Sequence, residues 1–221
     1  MRHLKVLLVV AAVVVSATPL GASLPDLLRA TAPLQWRDEV PNPTQPAPLL
    51  NRCTAGFINA ERHLWLTAAH CVSTIGDPDA PRMVYPRDYH IAGYQARLIA
   101  VDLIHDLAIL QTPNATAEVT LQLGDPPAWN DEVSLNGYAW GAPQSLYIHG
   151  RIANPFYWVE WFQKDYCLFT AMVIPGMSGS PIVNKKGKII SVLQIGWRET
   201  PLSGGATYQE LVSFAGAFFG S

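Results

Sequence analysis

Residues 64–72 read LWLTAAHCV. The large apolar and β-branched side chains at the start favour a short strand, and the two alanines after them let the end of that strand pack tightly. The imidazole of His70 then projects from the strand end, beside Cys71. A single histidine in such a place is more often structural than functional. This stretch alone therefore predicts a strand and leaves the role of His70 open.

The chain after Leu49 shows a similar pattern throughout: apolar runs of about four to seven residues are separated by Gly, Pro, Asn and Asp. This pattern predicts many short strands and an all-β fold. No long amphipathic helix competes with them, although residues 211–219 could form a short terminal helix. The expected strands are residues 54–58, 64–67, 96–101, 107–111, 132–138, 147–152, 167–173, 181–184, 189–195 and 206–210.

The first 22 residues have the composition of a signal peptide. Basic residues precede an apolar stretch, residues 6–15, and a small-residue segment, residues 16–23. Cleavage after Ala17 or Ala22 fits this pattern. Retention as a membrane anchor is the alternative, but the apolar stretch is shorter than the roughly 20 residues that a spanning helix needs. We expect export to a secreted or periplasmic location, without stable membrane insertion after cleavage.

The overall composition is that of a folded protein, because 49% of the 221 residues are hydrophobic and only 14% are charged. The formal net charge is -2, and no run of Lys or Arg indicates a nucleic-acid partner. Removal of the signal leaves thirteen basic and seventeen acidic residues, a net charge of about -4. Residues 23–48 are rich in proline, and we expect them to form an N-terminal arm outside the sheets.

A second stretch, residues 103–112, reads LIHDLAILQT. Asp106 stands at the start of a very apolar strand, where an unpaired carboxylate would be costly to bury. Holding an imidazole would give this carboxylate a partner. Taken alone, an aspartate that caps or closes a turn is the favoured interpretation.

A third stretch, residues 173–183, reads VIPGMSGSPIV. A nucleophilic serine needs a tight turn that presents its Oγ and points neighbouring amides at one place. Gly176 and Gly179 around Ser178 suit that requirement. Ser180 is the competing nucleophile, but only Ser178 lies in a Gly-x-Ser-Gly frame.

The three stretches follow one another in the order His, Asp, Ser, at spacings of 36 and 72 residues. This order is the one used by chymotrypsin-type enzymes. The motifs TAAHC, HDLAIL and GMSGSP resemble those of trypsin-like serine proteases, over residues 52–211. The segments LQLGDPPAWNDEVSLNGYAWG and IHGRIAN are similar to the compact bacterial and HtrA-type branch. Only 43 residues follow Ser178, so we expect no appended PDZ domain.

The resemblance implies two packed six-stranded antiparallel β-barrels with a short C-terminal helix, the chymotrypsin-like fold. Residues 49–115 would form the first barrel and residues 116–221 the second. The implied catalytic residues are His70, Asp106 and Ser178, with the amides of Gly176 and Ser178 as the oxyanion hole. Alternative bases with weaker sequence context are His63, His90, His105 and His149.

Three cysteines in an exported chain permit one disulfide and leave one thiol. The resemblance implies that Cys53 and Cys71 form the disulfide, because the family commonly bridges the two strands beside its catalytic histidine. Cys167 is then a free thiol, which we expect to be buried.

Two departures from digestive trypsins concern activation and specificity. Met177 stands where zymogen-type trypsins have an aspartate that pairs with a new N-terminus, so we expect no such ion pair and no activation peptide in the arm. By resemblance, the specificity pocket contains no carboxylate at its base and favours an apolar side chain. Its candidate residues are Met172, Gln194, Ile195, Gly196 and either Gly204 or Gly205.

The expected function is that of a monomeric, secreted serine endopeptidase that hydrolyses polypeptides through an acyl-enzyme and needs no metal or cofactor. The HEXXH and CXXC ligand patterns are absent from the sequence. One alternative is an inactive trypsin-like binding module, and another is an esterase that uses the same three residues.

Overall fold

A computed structural model describes residues 24–37, 50–73, 83–84, 87–115, 117–140, 142–197 and 200–220. The proposed signal peptide, residues 1–22, lies outside these residues, as does the proline-rich stretch 41–48. Within the described part of the chain, no helix has the length and apolar character needed to cross a membrane.

The first barrel is a closed sheet of six antiparallel strands in the order β1-β2-β3-β6-β5-β4. Its interior is filled by buried side chains that include Leu34, Phe57, Trp65 and Leu110. A short helix, α1 (Leu24–Arg29), precedes it. The strands are β1 (Thr31–Trp36), β2 (Leu50–Asn59), β3 (Leu64–Thr67), β4 (Tyr89–Ile91), β5 (Tyr94–Asp102) and β6 (Leu107–Gln111).

The second barrel is also closed and antiparallel, in the order β10-β11-β12-β9-β8-β7. A short helix, α2 (Tyr208–Ala215), follows it. The strands are β7 (Glu132–Tyr138), β8 (Ser145–Val159), β9 (Lys164–Thr170), β10 (Pro181–Asn184), β11 (Ile189–Gly196) and β12 (Leu202–Gly205). The prediction of two six-stranded barrels and a short C-terminal helix is confirmed.

A shared apolar cluster packs the two barrels against each other. Strand β3 contributes to it because alternate side chains point to opposite faces: Trp65 lies inside the first barrel, whereas Leu64 and Leu66 lie in the shared cluster. Residues of both barrels and both helices meet there, among them Leu27, Ile109, Val183, Val192 and Leu211. This packing fixes the end of β3 relative to the loop before β10.

The boundary of the first barrel is a correction to the sequence-based expectation. Residues 24–36, which we assigned to an arm, form α1 and β1, and β1 is a full member of the first barrel. Pro33 is tolerated because its pair with Thr54 of β2 is not hydrogen-bonded: the Thr54 N–H donates to Ser178. Towards β4, pairing begins at Leu34, so Pro33 lies at the end of that ladder, where its carbonyl accepts from the Ala92 N–H.

A second correction concerns the expected strand at residues 206–210. The last strand is β12, and the chain turns at Thr207 into α2. Thr207 accepts a hydrogen bond from the Glu210 N–H, and the Glu210 carboxylate accepts one from the Thr207 N–H. This reciprocal capping box is encoded by the Thr-x-x-Glu spacing and starts a helix there.

Candidate active site

The ends of β3 and β6 bring His70 and Asp106 together. The two strands pair antiparallel with Thr67 opposite Ala108, so the chain leaving β3 lies beside the chain entering β6. His70 lies in a 3-10 turn, Ala69–Cys71, shortly after β3. Asp106 lies directly before β6, at a left-handed φ of 56°. The strand register therefore sets the distance between the two side chains.

Two hydrogen bonds join this pair. His70 Nδ1 lies 2.8 Å from Asp106 Oδ2, and the His70 backbone N–H donates to Asp106 Oδ1 at 2.7 Å. When Nδ1–H donates to the carboxylate, the neutral ring presents its Nε2 lone pair on the opposite side. The His70 and Asp106 side chains are 24% and 15% exposed, which leaves the pair partly open to solvent.

The environment of His70 shifts its pKa in opposing directions. Burial lowers the pKa of the imidazole, whereas the negative charge and the hydrogen bond of Asp106 raise it. The positive charge of Lys164 lowers it again. The contributions of Asp106 prevail, and the pKa of His70 is raised above the ordinary value of 6.5.

Ser178 lies in a tight loop before β10 that two glycines make possible. Gly176 has a φ of 96°, and a Cβ at this position would overlap the backbone of residues 138–140. Gly179 has a φ of 84°, and a Cβ there would overlap the Thr67 hydroxyl and the Thr54 carbonyl. Both positions therefore need glycine for conformation and for space.

Hydrogen bonds from the first barrel hold this loop in place. The Thr54 N–H donates to the Ser178 carbonyl at 2.8 Å, and the Thr54 hydroxyl donates to the Gly176 carbonyl at 3.2 Å. Cys71 Sγ lies 3.8 Å from the same Ser178 carbonyl oxygen. Ser178 of the second barrel is thereby held against the turn that carries His70.

The amides of this loop divide into two groups. The Met177 N–H donates to the Ile174 carbonyl at 3.2 Å, and the Gly179 N–H donates to the Leu193 carbonyl at 2.8 Å. Among the described residues, the N–H groups of Gly176 and Ser178 donate to no backbone carbonyl. These two donors are the ones that the resemblance assigned to an oxyanion hole.

Ser180, the competing nucleophile, is fully buried. Its hydroxyl donates to the Met177 carbonyl at 2.7 Å, and its N–H donates to the same oxygen at 3.0 Å. Met177 is also fully buried, in the core of the second barrel. Ser180 therefore acts in the packing of the loop, whereas Ser178 is partly exposed.

The four alternative histidines have other partners. His63 contacts the Ala115 carbonyl, His90 lies 3.5 Å from an oxygen of Asp88, and His149 contacts the Ser134 hydroxyl. His105 pairs with Asp102 at 2.7 Å. The bonds from His105 hold the pKa of Asp102 below its usual value, although burial acts against them.

The structure contains a disulfide between Cys53 and Cys71, next to His70. Cys167 is a free, buried thiol. Burial raises its pKa to about 12, so the thiol remains protonated at neutral pH and is poorly reactive.

The candidate pocket residues have different environments. The Met172 side chain is 63% exposed, and Ile195 and Gly196 form the end of β11 opposite β12. Gly205 is buried, and a Cβ there would overlap the Ser191 hydroxyl. The Gln194 side chain is only 7% exposed, so its amide is directed into the protein.

Gln194 and Lys164 form contacts behind Asp106 that sequence reasoning did not find. The Gln194 Nε2 donates to the carbonyls of His105 and Asp106, at 2.7 and 2.9 Å. Lys164 Nζ donates to the His105 carbonyl at 2.7 Å and to Gln194 Oε1 at 2.9 Å. A lone lysine at the start of a strand carries no sequence signal for this role, because its partners lie 30 and 59 residues away.

Comparison with known proteins agrees with the two-barrel fold. The chain is similar in fold to a crystal structure of the Rv3671c protease from M. tuberculosis in its active form, with a TM-score of 0.66 and 16% identity. The match covers 91% of this chain and 86% of the other. A search by sequence among curated proteins finds no match. The family model described as a trypsin-like peptidase domain matches residues 53–192, more than half of the chain. The chain therefore belongs to the trypsin-like peptidase family.

Proposed function

We propose that this protein is an exported serine endopeptidase that uses His70, Asp106 and Ser178. The observation that carries the proposal is the pair of hydrogen bonds between Asp106 and His70, next to a loop that presents Ser178. This combination of a mostly buried carboxylate, an oriented imidazole and a serine in a glycine-flanked loop suits acyl transfer.

In the proposed reaction, Ser178 Oγ attacks the carbonyl carbon of the scissile peptide bond. His70 Nε2 accepts the serine proton and then donates it to the leaving amine. Asp106 keeps Nδ1 protonated and stabilises the imidazolium that forms. Water then attacks the acyl-enzyme, with His70 acting again as the base, and releases the acid product and free Ser178.

The proposed oxyanion hole consists of the backbone N–H groups of Gly176 and Ser178. Its support is that neither group has a backbone acceptor among the described residues, whereas the N–H groups of Met177 and Gly179 do. Two donors fixed in advance stabilise the charge that develops on the carbonyl oxygen. Met177 is buried and uncharged, so we propose that this loop forms without an ion pair to a new N-terminus.

For specificity, we propose an apolar residue on the acyl side of the cleaved bond. Met172 and the segment of residues 194–196 are the candidate pocket, with Gly205 behind them. Gln194 would contribute through its backbone, because its side chain binds the carbonyls behind Asp106. Cleavage of a peptide library after basic residues would contradict this specificity.

Export is proposed from the N-terminal sequence pattern and agrees with the disulfide, since disulfides persist in oxidising compartments. The proposed substrate is a polypeptide, and the protein is proposed to act as a monomer. Mass spectrometry of the mature N-terminus would test cleavage after Ala17 or Ala22.

Digestion of an unfolded protein tests the proposed activity. The purified chain should release peptides, and Ser178→Ala should release none above background. Ser180→Ala is the matched control, since it removes a hydroxyl two residues away that is buried and bonded. Hydrolysis of small esters without peptide release would favour an esterase. Loss of neither activity in Ser178→Ala would contradict the proposal.

A further inference from the structure

Lys164 is a buried cation that the proposed reaction does not use. Its side chain is 11% exposed, although it begins β9 and faces the region behind Asp106. Lys is seldom buried to this extent, because its ammonium group is strongly hydrated in water. The protein must therefore supply polar partners for it.

Three oxygen atoms surround the ammonium group. Lys164 Nζ lies 2.7 Å from the His105 carbonyl, 2.9 Å from Gln194 Oε1 and 3.9 Å from Glu210 Oε2. It also lies 5.3 Å from the centre of the Tyr166 ring. Burial lowers the pKa of Lys164, whereas the negative charges of Glu210, Asp106 and Asp102 raise it, and the net result is a pKa below the usual value for lysine. The nearby imidazole of His105 is itself paired with Asp102.

Lys164 thus binds the peptide carbonyl of His105, the residue directly before Asp106, whose carboxylate orients His70. A positive charge here attracts the Asp106 carboxylate and opposes a second positive charge on the imidazole. The effect of Lys164 on the pKa of His70 is smaller than the effects of burial and of Asp106, and it lowers the pKa. We propose that the Lys164 ammonium extends to lower pH the range in which His70 can act as a base, by opposing the effect of Asp106 on it.

Gln194 makes this charge effect separable from the geometry of the pair. The amide of Gln194 binds the carbonyls of His105 and Asp106 directly, so the turn stays anchored when the charge at position 164 is removed. Lys164 is a positioning residue and not a catalytic one, because it acts through His70 and Asp106. The inference rests on the proposed function for its kinetic consequence, but His70 also titrates without turnover.

The first experiment is an NMR titration of His70 in full-length protein carrying Ser178→Ala. Adding Lys164→Met should raise the pKa of His70, since the opposing charge is lost, and Lys164→Arg should keep it near that of the parent. Glu210→Gln is the matched control: it removes the ion pair with Lys164 and keeps a capping side chain at the start of α2. The charges that shift the pKa of His70 are those of Asp106 and Lys164, and Glu210 is not among them. Glu210→Gln should therefore leave the pKa of His70 unchanged.

The second experiment follows hydrolysis against pH with Ser178 intact. Lys164→Met should move the acid limb of kcat/KM to higher pH and retain the plateau above it, because neutral His70 is still held by Asp106. A purely structural role would lower the plateau and the thermal stability without moving the limb. If Lys164→Met does not fold, Lys164→Gln, which is also neutral but keeps hydrogen-bond donors, replaces it with the same expectations.

The two experiments separate the inference from the proposed function. An unchanged or lowered pKa of His70 in the neutral variant would overturn the inference, whatever the activity. A raised pKa in a protein that hydrolyses nothing would support the role of Lys164 and contradict the endopeptidase proposal. An equal rise in Lys164→Arg would also overturn the inference, because that variant keeps the charge.

Discussion

At the scale of single residues, the central feature is the contrast between Ser178 and Ser180. Both serines follow a small or apolar residue in the same loop, and sequence alone left Ser180 as a competitor. The structure distinguishes them by burial and by hydrogen bonding, since the Ser180 hydroxyl is occupied by the Met177 carbonyl. The positions of His70, Asp106 and Ser178 could be read from motif and order, because each motif has local requirements for small residues or apolar strands.

Lys164 and the side chain of Gln194 could not be read in this way. The resemblance to the family placed Gln194 in a substrate pocket, and a resemblance in sequence does not say which way a side chain points. Its amide is instead directed to carbonyls more than 80 residues away in the chain. A contact between distant segments depends on how the barrels pack, and one sequence contains no local signal for it.

The pH dependence of hydrolysis is a prediction at this scale. Because Asp106 raises the pKa of His70, the imidazole is protonated at a higher pH than a free imidazole and then cannot accept the serine proton. We expect kcat/KM to fall with a slope of one as pH decreases, with its midpoint above 6.5. Initial rates in buffers of constant ionic strength would measure this. A midpoint at or below 6.5 would mean that Asp106 does not support the imidazolium.

At the scale of secondary structure, short apolar runs between turn-forming residues made the strands predictable, and segments that depart from this pattern caused the errors. The bounds expected for residues 64–67, 107–111, 132–138 and 181–184 match β3, β6, β7 and β10. Strand β1 was missed because of its proline and β4 because it has only three residues. The start of α2 was missed because the Thr-x-x-Glu spacing was not weighed as a helix cap.

The disulfide between β2 and the turn after β3 gives a prediction at this scale. Cys53 and Cys71 are 18 residues apart, and a loop of this length contributes about 3 kcal/mol by the chain-entropy estimate. The double variant Cys53→Ala/Cys71→Ala should therefore unfold with a free energy lower by about 3 kcal/mol in urea titrations. Cys167→Ala, which removes the buried free thiol, is the control for changing a cysteine. An unchanged urea midpoint in the double variant would contradict a stabilising role.

At the scale of the whole molecule, the site exists only because two barrels meet. His70 and Asp106 come from the first barrel, and Ser178 comes from the second. The two-barrel fold could be predicted through the motifs, but the contacts that align the barrels could not. Thr54 is the main example, since its backbone holds Ser178 and its hydroxyl lies between the Gly176 carbonyl and the Tyr138 N–H.

Thr54→Val tests this alignment, because it keeps the shape of the side chain and removes a fully buried hydroxyl. We expect a loss of about 1–3 kcal/mol in unfolding free energy, since two buried polar groups lose their partner. We also expect hydrolysis per folded molecule to fall about 10- to 100-fold, as the Ser178 loop shifts relative to His70.

Thr112→Val is the matched control for that variant. Its hydroxyl is equally buried, accepts from the Trp65 Nε1–H and donates to the Ala115 carbonyl. These contacts involve no residue of the second barrel. It should lose a similar amount of stability and keep its rate when folded. Equal losses of rate in both variants would show that Thr54 has no special part in aligning the barrels.

The most direct test of the central claim is covalent labelling of the folded, full-length protein by a fluorophosphonate probe, followed by mapping of the labelled peptide. The account predicts a single adduct on Ser178, which is lost in Ser178→Ala and retained in Ser180→Ala. Labelling requires an activated serine, because an ordinary hydroxyl is a weak nucleophile at neutral pH. A folded protein that takes up no label, or takes it up at a residue other than Ser178, would contradict the claim that these three residues form a working active site.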